Sequence, residues 1–319
     1  MKFGAIEAQR GSKAFGFFKT GETHGRFSTH IPLHLISGVQ DGPLLVVQAG
    51  VSGLEIEPAL VLPEVVKELV PATIAGTVVI VPLMNTSGFE FEQVNSAWDN
   101  KDLNSLGRGE ADGTVSDQMI YAYYQSVLSE ADAVIEVRTG AQWGYHHYAG
   151  VYETGSTDQS KALAIALGLP HVLLGQPADQ SMAYEAATDR KTVVAAYIGG
   201  GPGLRDYREQ DLGLVRSAVL NAMVHLKMIR GSAKVGKVAV IRAHTFLTAS
   251  GERGFTFMDS SKRGTQVKAG EQLGYVRHPF SGEVVQLITA PRDGFMVDAG
   301  VTWPVPLEGQ VLAILGDLA

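Results

Sequence analysis

The chain predicts a three-layer α/β fold with a mixed, mostly parallel sheet, followed by an all-β C-terminal segment. Three observations carry that expectation. Strand-sized apolar runs such as Pro43–Gln48 and Gly76–Leu83 recur, helical periodicity fills the stretches between them, and no helical pattern continues past Gly231. Apolar runs without polar alternation read as strands buried on both faces, and strands alternating with helices read as a sheet covered on two sides.

Taken in order, the elements support this reading. The N-terminal stretch with His24, His30 and His34 reads as β structure without a tight metal-ligand pattern. Pro43–Gln48 (PLLVVQ) is the first buried strand. From Glu55 to Val70 the residues Ile56, Leu60, Leu62, Val65, Val66 and Leu69 follow helical spacing, with Pro58 tolerated in the first turn. Gly76–Leu83 is the second buried strand. The polar stretch Asn85–Ser116 has little periodicity, and a loop of that length is usually functional. Asp117–Leu128 reads as a helix, Asp132–Val137 and Tyr145–Tyr152 as strands, Ser160–Leu167 as a helix, and His171–Leu174 and Thr192–Ile198 as strands. Gln210–Ile229 is a long amphipathic helix with a basic last turn and a glycine stop at Arg230-Gly231. Beyond it, Val238–Arg242, Gly254–Met258, Gln272–Val276, Glu283–Thr289 and Gln310–Leu315 read as short strands, so the expected division is 1–231 and 232–319.

Composition narrows the function. The chain has 319 residues, 45% hydrophobic and 18% charged, enough to bury a sizeable core. It has no cysteine, which excludes a thiol nucleophile, a disulfide and Cys-ligated zinc, so a metal would have to come from nine histidines and the carboxylates. A net charge of −7 without a basic run argues against a nucleic-acid partner. The opening MKFGAIEAQRGSKAFG lacks an apolar stretch of signal-peptide length, and runs such as Leu44–Gln48 and Thr77–Met84 are too short to span a bilayer, so a cytoplasmic protein with no membrane partner is expected.

Chemistry in open α/β sheets sits at the carboxyl ends of the strands. The first such place is the turn from Gln48 to Pro58, in which Ser52 and Glu55 are spaced to converge on one point. Glu55 then reads as a ligand or base with the Ser52 hydroxyl beside it. S-x-x-E is equally the signature of a helix capping box, and both readings stand at this level. Gly50-Val51-Ser52-Gly53 lacks the second glycine of a nucleophile elbow. Gly199–Gly203 has neither Walker spacing nor a following Lys-Ser/Thr and reads as a turn, and Arg205–Glu209 reads as a solvated helix start.

The order of several segments resembles the succinylglutamate desuccinylase/aspartoacylase family, relatives of the zinc carboxypeptidases. The turn at Gly50–Pro58 matches G-x-H-G-x-E-x-x-P with Ser52 at the histidine position, Pro82–Asn85 leads into the family's N-P loop, and Asp99-x-x-Asp102-Leu103-Asn104 matches D-x-x-D-L-N-R. Ala131–Gly140 matches A-D-x-x-x-D-L-H-T-G, and Tyr197–Gly200 matches E-x-G-G. The resemblance covers nearly the whole chain and implies a carboxypeptidase-like α/β domain. The phrase Gly264–Gly274 with Ala290–Gly294 is similar to a biotinyl/lipoyl half-barrel, but the hairpin at His278–Gly282 holds no lysine to modify, which points to a structural role.

The departures from the family pattern matter more. Ser52 stands where the resemblance implies a zinc histidine, and Arg138 stands where it implies another, leaving Glu55 as the one retained ligand position. The substrate-binding arginine of D-L-N-R is Ser105, a second arginine would fall near Val94, and the family's general base corresponds to Tyr197. A guanidinium at the metal position would pair with Glu55 and supply positive charge without Lewis acidity. The expectation is a divergent member that binds a small anionic, acyl-amino-acid-like ligand, with zinc-dependent hydrolysis lost and no cofactor. Glu55, Arg138 and Tyr197 are its candidate chemical residues, Glu55 or Tyr197 moving a proton while Arg138 holds the anion. Ser52, Asp102, Asn104, Ser105, His146 and His147 are its candidate ligand-binding residues, with Trp143, Tyr145 and Tyr148 clustered near the histidines. Adjacent His146 and His147 face opposite ways on a strand, so at most one enters the site. Glu57, Asp102 and Glu136 stand beside it. Two alternatives remain: a metal-dependent deacylase rebuilt from Glu55 and His146 or His147, and a structural or regulatory homo-oligomer associating through its β segment.

Overall fold

The computed structural model describes residues 1–140, 146–177, 179–200, 209–299 and 311–319. A two-strand hairpin, β1 (Lys2–Phe3) and β2 (Ile6–Glu7), precedes the long strands β3 (Ser12–Glu22), β4 (Ser28–Ser37) and β5 (Gln40–Ala49). Then follow α1 (Glu57–Glu68), β6 (Ala75–Val81), α2 (Thr86–Glu90), α3 (Val115–Ser126), β7 (Ala133–Arg138), β8 (His146–Val151), α4 (Thr157–Leu167), β9 (His171–Leu174), α5 (Met182–Thr188), β10 (Thr192–Gly199) and α6 (Glu209–His225). The C-terminal part is β11 (Ala239–Thr248), β12 (Phe255–Met258), β13 (Gln266–Val267), β14 (Gln272–Arg277), β15 (Val284–Thr289), β16 (Gly294–Ala299) and β17 (Val311–Leu318).

Twelve strands form one sheet in the order β13-β16-β17-β11-β9-β8-β10-β7-β5-β6-β4-β3. The central strands β6, β5, β7 and β10 are parallel. Two layers cover them. Val47, Ile80, Ile135 and Val194 pack with α1, α4 and α6 through Leu62, Leu163 and Val219. Val46, Val79, Val134 and Val193 pack on the opposite face with Ile120 and Tyr123 of α3, Met182 of α5, and Phe3 and Ile6 of the first hairpin. Neighbouring valines facing opposite layers is why these strands read as unbroken apolar runs.

Three expectations need correction. The sheet is mixed, but its described pairings are five parallel and six antiparallel, not mostly parallel. β3 and β4 add antiparallel strands at one edge, β17, β16 and β13 add them at the other, and β8 runs back against β10. The composition boundary at Gly231 is not a break in hydrogen bonding, because β11 pairs in parallel with β9 and carries β17 into the same sheet. Among the described residues beyond Gly231, β12, β14 and β15 form a separate three-stranded sheet. The stretch Asn85–Ser116 contains the short helix α2, capped by Asn85 Oδ1 accepting from Gly88 N at 2.8 Å. α5 carries too short a pattern to be read from sequence.

Expected helix α1 starts later than its periodicity, at Glu57, with Ile56 at the N-cap and Pro58 in the first turn. Among the described residues no helix is long and apolar enough to cross a membrane.

Where β6 leaves its turn beside β5, Gly76 has φ +88°, and a Cβ there would lie 2.1 Å from the Pro43 carbonyl oxygen. Gly76→Ala is expected to lower stability by at least ~2 kcal/mol, since neither φ nor the backbone contact admits a methyl group. Gly213→Ala, in α6 with nothing within 4 Å of the new Cβ, is expected to raise it by about 0.5–1 kcal/mol. Urea titrations of the two variants check both signs.

Candidate functional site

Parallel register brings the carboxyl ends of β5, β7 and β10 to one edge of the sheet. Gln48, Glu136 and Ala195 stand in register across the three strands, and two residues further along Arg138 pairs with Tyr197, which pairs with Tyr148 of β8. Because strand side chains alternate, Glu136 and Arg138 project from the same face. The turn after β5 brings Glu55 over them. That turn is braced by α2: Gly53 N donates to Val94 O at 3.2 Å, and a Cβ on Gly53 would sit 2.2 Å from the Gly88 carbonyl carbon.

Arg138 is shared between two carboxylates. Its Nε donates to Glu55 Oε1 at 3.0 Å and Oε2 at 3.2 Å, and its Nη1 donates to Glu136 Oε1 at 3.1 Å. Glu55 also accepts from Thr139 N at 3.2 Å and Ser52 N at 3.3 Å. The second oxygen of Glu136 accepts from Gln48 Nε2 at 2.6 Å, and Gln48 Oε1 accepts from Tyr123 OH at 3.0 Å. The Arg138 side chain is 13% exposed, Glu55 2% and Glu136 1%. Charges at that depth are tolerated only when paired and hydrogen-bonded.

Burial pushes the Glu136 carboxyl above its ordinary value, against the opposing pull of Arg138 and the hydrogen bond from Gln48. Burial also works against the Arg138 charge, but Glu55, Tyr197 and Glu136 outweigh it and hold the guanidinium protonated. Tyr197 is pushed up chiefly by burial, with Arg138 opposing and Asp179, Glu136 and Glu55 adding to the rise. It therefore stays a neutral phenol. Its ring lies 5.8 Å from the Arg138 Cζ and stacks on Tyr148 at 4.6 Å, while its hydroxyl accepts from Gln176 Nε2 at 3.1 Å.

Glu55, Arg138, Tyr197 and Ser52 thus come together. Ser52 and Glu55 are bonded reciprocally to the turn's own backbone, with Leu54 N donating to Ser52 Oγ at 3.3 Å, but the helix starts two residues later, so Ser52 is not its cap. Asp102, Asn104 and Ser105 form their own turn. Asp102 Oδ1 accepts from Asn104 N at 3.0 Å and Asn104 Nδ2 at 3.1 Å, and Ser105 Oγ donates to Asp102 O at 2.8 Å. None of the three hydrogen-bonds Glu55 or Arg138. His147 is in register with Ile198, whose side chain joins the α6 layer, and its Nε2 lies 3.0 Å from Asp211 Oδ1 on that helix. Among the described side chains of this strand, Tyr148 reaches the Arg138 face, its ring stacked on Tyr197. His146 lies in β8 with its side chain outside the described residues, as are Trp143, Tyr145 and the residues 201–208 of the glycine-rich turn and charge cluster.

Sequence reasoning did not assign Gln48, Tyr123, Gln176 or Asp179. Gln48 carried a signal, being the one polar residue in PLLVVQ, and Glu136 is likewise the one charge inside AVIEV. Gln176 and Asp179 come from the far side of β9 and carried none. Among the described residues no three His, Asp or Glu side chains are arranged to hold a metal ion.

A sequence model of the succinylglutamate desuccinylase/aspartoacylase catalytic domain matches residues 41–226. The chain is 24% identical over 201 residues to the N-alpha-acetyl-L-2,4-diaminobutyric acid deacetylase of Halomonas elongata, a match covering 61% of this chain and 58% of that protein's length. Among solved structures, a succinylglutamate desuccinylase/aspartoacylase from Rhodobacter sphaeroides superposes with a TM-score of 0.86 at 17% identity, covering 99% of this chain and 97% of the other. The product-bound ectoine utilization protein EutE (DoeB) from Ruegeria pomeroyi gives 0.86 at 20% identity, covering 98% of each chain. At these identities the structural likeness is one of fold.

Two outcomes follow from the buried charges. Arg138→Met is expected to destabilise the fold by roughly 3–5 kcal/mol, because it strands two buried carboxylates; denaturant unfolding measures this, and a loss below 1 kcal/mol would show that solvent reaches the pair freely. Glu136→Gln tests the raised pKa. A carboxyl whose folded pKa is raised contributes stability that is fully present below its unfolded pKa and lost as pH rises through the folded value. Wild-type stability should therefore fall relative to Glu136→Gln across that interval, and parallel stability–pH curves would contradict the assignment.

Proposed function

Because the chain belongs to the succinylglutamate desuccinylase/aspartoacylase family, we propose that it is a divergent member that binds a small anionic ligand of the acyl-amino-acid type without zinc-dependent hydrolysis. The observation that carries this reading is the contact of Arg138 Nε with both oxygens of Glu55. The family resemblance implies zinc held by two histidines and a glutamate. Here the corresponding positions are Ser52, Arg138 and Glu55. An arginine carries no lone pair for a metal, and it occupies the carboxylate that would remain. The donor set does not fit zinc, so no step is assigned to a metal.

What remains can bind. The Nη2 of Arg138 is left for an incoming carboxylate, approached from the side on which the residue is partly exposed, and a guanidinium edge suits that geometry. Tyr197 offers a neutral hydroxyl within the same cluster, and Glu55 or Tyr197 would be the group to move a proton if the pocket is catalytic. The names of the relatives, a deacetylase of N-acetyl-diaminobutyrate and desuccinylases, support the substrate class. A rebuilt metal site from Glu55 and His147 is disfavoured by the engagement of His147 with Asp211. A purely structural pocket is favoured by one feature, the two carboxylates already facing Arg138. The C-terminal strands are assigned a structural role, with the hairpin at His278–Gly282 lacking a lysine.

Elemental analysis of protein purified without chelator is expected to find substoichiometric zinc. Restoring both histidines in Ser52→His/Arg138→His is expected to create zinc binding near one ion per chain; stoichiometric zinc in the wild type would overturn the proposal. A thermal-shift screen of N-acyl amino acids and dicarboxylates is expected to find stabilising ligands whose effect disappears in Arg138→Ala. A flat screen would favour the structural pocket.

A further inference from the structure

Besides their structural role, the C-terminal strands frame a cavity that the candidate site does not use. It measures about 290 Å³ and lies between the small sheet of β12, β14 and β15 and the ends of β11 and β17. An apolar cavity of about 150 Å³ holds the six carbons of benzene, so this one has room for roughly ten to twelve non-hydrogen atoms. Leu247, Ile288 and Leu312 supply apolar wall. Thr256, Val276 and Gln286 stand in register across the three strands of the small sheet, and all three line the cavity.

Two polar groups of that row give the cavity its chemistry. Thr256 is 1% exposed, and among the described residues its hydroxyl has no hydrogen-bond partner. A buried hydroxyl without a partner costs stability that an isosteric valine would not. Gln286 is held more firmly. Its Oε1 accepts from Glu252 N at 3.1 Å, which fixes the orientation of the amide and leaves Nε2 as a donor on the cavity wall. Val276 lies between the two, one strand spacing of about 4.8 Å from each. A carboxamide lying over Val276 can accept from Gln286 Nε2 with its oxygen and donate to the Thr256 hydroxyl with its nitrogen.

The loop pinned by Gln286 also places charge at the mouth, with Glu252 and Arg253 in succession and both exposed. A ligand of one sign is opposed by one of the two. A zwitterion presents an ammonium to Glu252 and a carboxylate to Arg253.

We propose that this cavity binds a free α-amino acid whose side chain ends in a carboxamide. The zwitterion lies at Glu252 and Arg253, the methylene stem lies against Leu247, Ile288 and Leu312, and the amide lies between Thr256 and Gln286. Three features together select this class: charges of both signs at the mouth, apolar wall, and an amide donor beside a buried hydroxyl.

Isothermal titration calorimetry of the full chain with glutamine and asparagine tests the proposal, and saturable binding of at least one is expected. Norleucine, which has hydrocarbon in place of the carboxamide, and glutaramate, which lacks the ammonium, are expected to bind about tenfold more weakly. Thr256→Val keeps the volume of the side chain and is expected to melt no lower than the wild type. It is expected to weaken the amide ligand about fivefold and to leave norleucine unchanged. Arg253→Gln, at an exposed position, is expected to weaken the amide ligand about tenfold. Absence of saturable binding overturns the proposal and leaves a cavity filled by water. So does norleucine or glutaramate binding as tightly as the amide ligand, or an affinity for that ligand unchanged in either variant. A lower melting temperature for Thr256→Val also overturns it, because the hydroxyl then serves the fold.

Discussion

The centre of the molecule is organised around one buried cation. The guanidinium of Arg138 meets Glu55 from the turn after β5 and Glu136 from its own strand, and each carboxylate is then satisfied by further donors: the backbone of Ser52 and Thr139 for one, Gln48 for the other. Such a cluster is stable only as a whole. Removing the cation strands two anions, and removing either carboxylate returns part of the burial penalty to the arginine. It also ties together pieces distant in sequence. The β5 turn, β7 and, through Tyr123, the helix α3 are held to one point by hydrogen bonds rather than by apolar packing alone.

Sheet geometry is what makes the cluster possible. Parallel pairing aligns the ends of β5, β7 and β10, and the two-residue repeat along each strand lets a polar face emerge within strands otherwise buried on both sides. Gln48 and Glu136 face each other across β5 and β7, while their neighbours Val47 and Ile135 join the opposite apolar layer. Tyr197 and Tyr148 extend the same face toward β8. The outcome is a polar furrow through an apolar sheet, at the edge where this fold class places its chemistry.

The family relationship is compatible with the altered site proposed above, because function lives in sites grafted on a fold and not in the fold itself. A cation remains at the place where the family resemblance implies zinc. What differs is its reach: a guanidinium offers directed hydrogen bonds to oxygens but does not polarise a bound water as a metal does. On the proposed reading, binding of a carboxylate survives that exchange more easily than hydrolysis.

Much of the architecture was legible in the chain. The apolar runs around Leu45, Val79 and Ile135 specify buried strands because they are β-branched and too short for a buried helix, and the order of motifs from Ser52 to Gly200 identifies the fold. That Ser52 and Arg138 stand where the resemblance implies histidines was equally visible, as residue identities in the matching motifs. Other features depended on contacts between distant segments. Whether Ser52 and Glu55 cap a helix was settled by Pro58 and the later start of α1. Among the described β8 side chains, register put Tyr148 on the Arg138 face and turned His147 toward Asp211. The continuity of the sheet past Gly231 was settled by β11 docking on β9, a pairing between strands whose separation in sequence hides it. The sequence by itself determined the strands and, through the order of its motifs, the fold family, since these follow from local pattern and spacing. Only the tertiary structure decided that Arg138 divides its guanidinium between the expected partner Glu55 and a second carboxylate, Glu136, because that sharing requires the turn after β5 to fold over the end of β7.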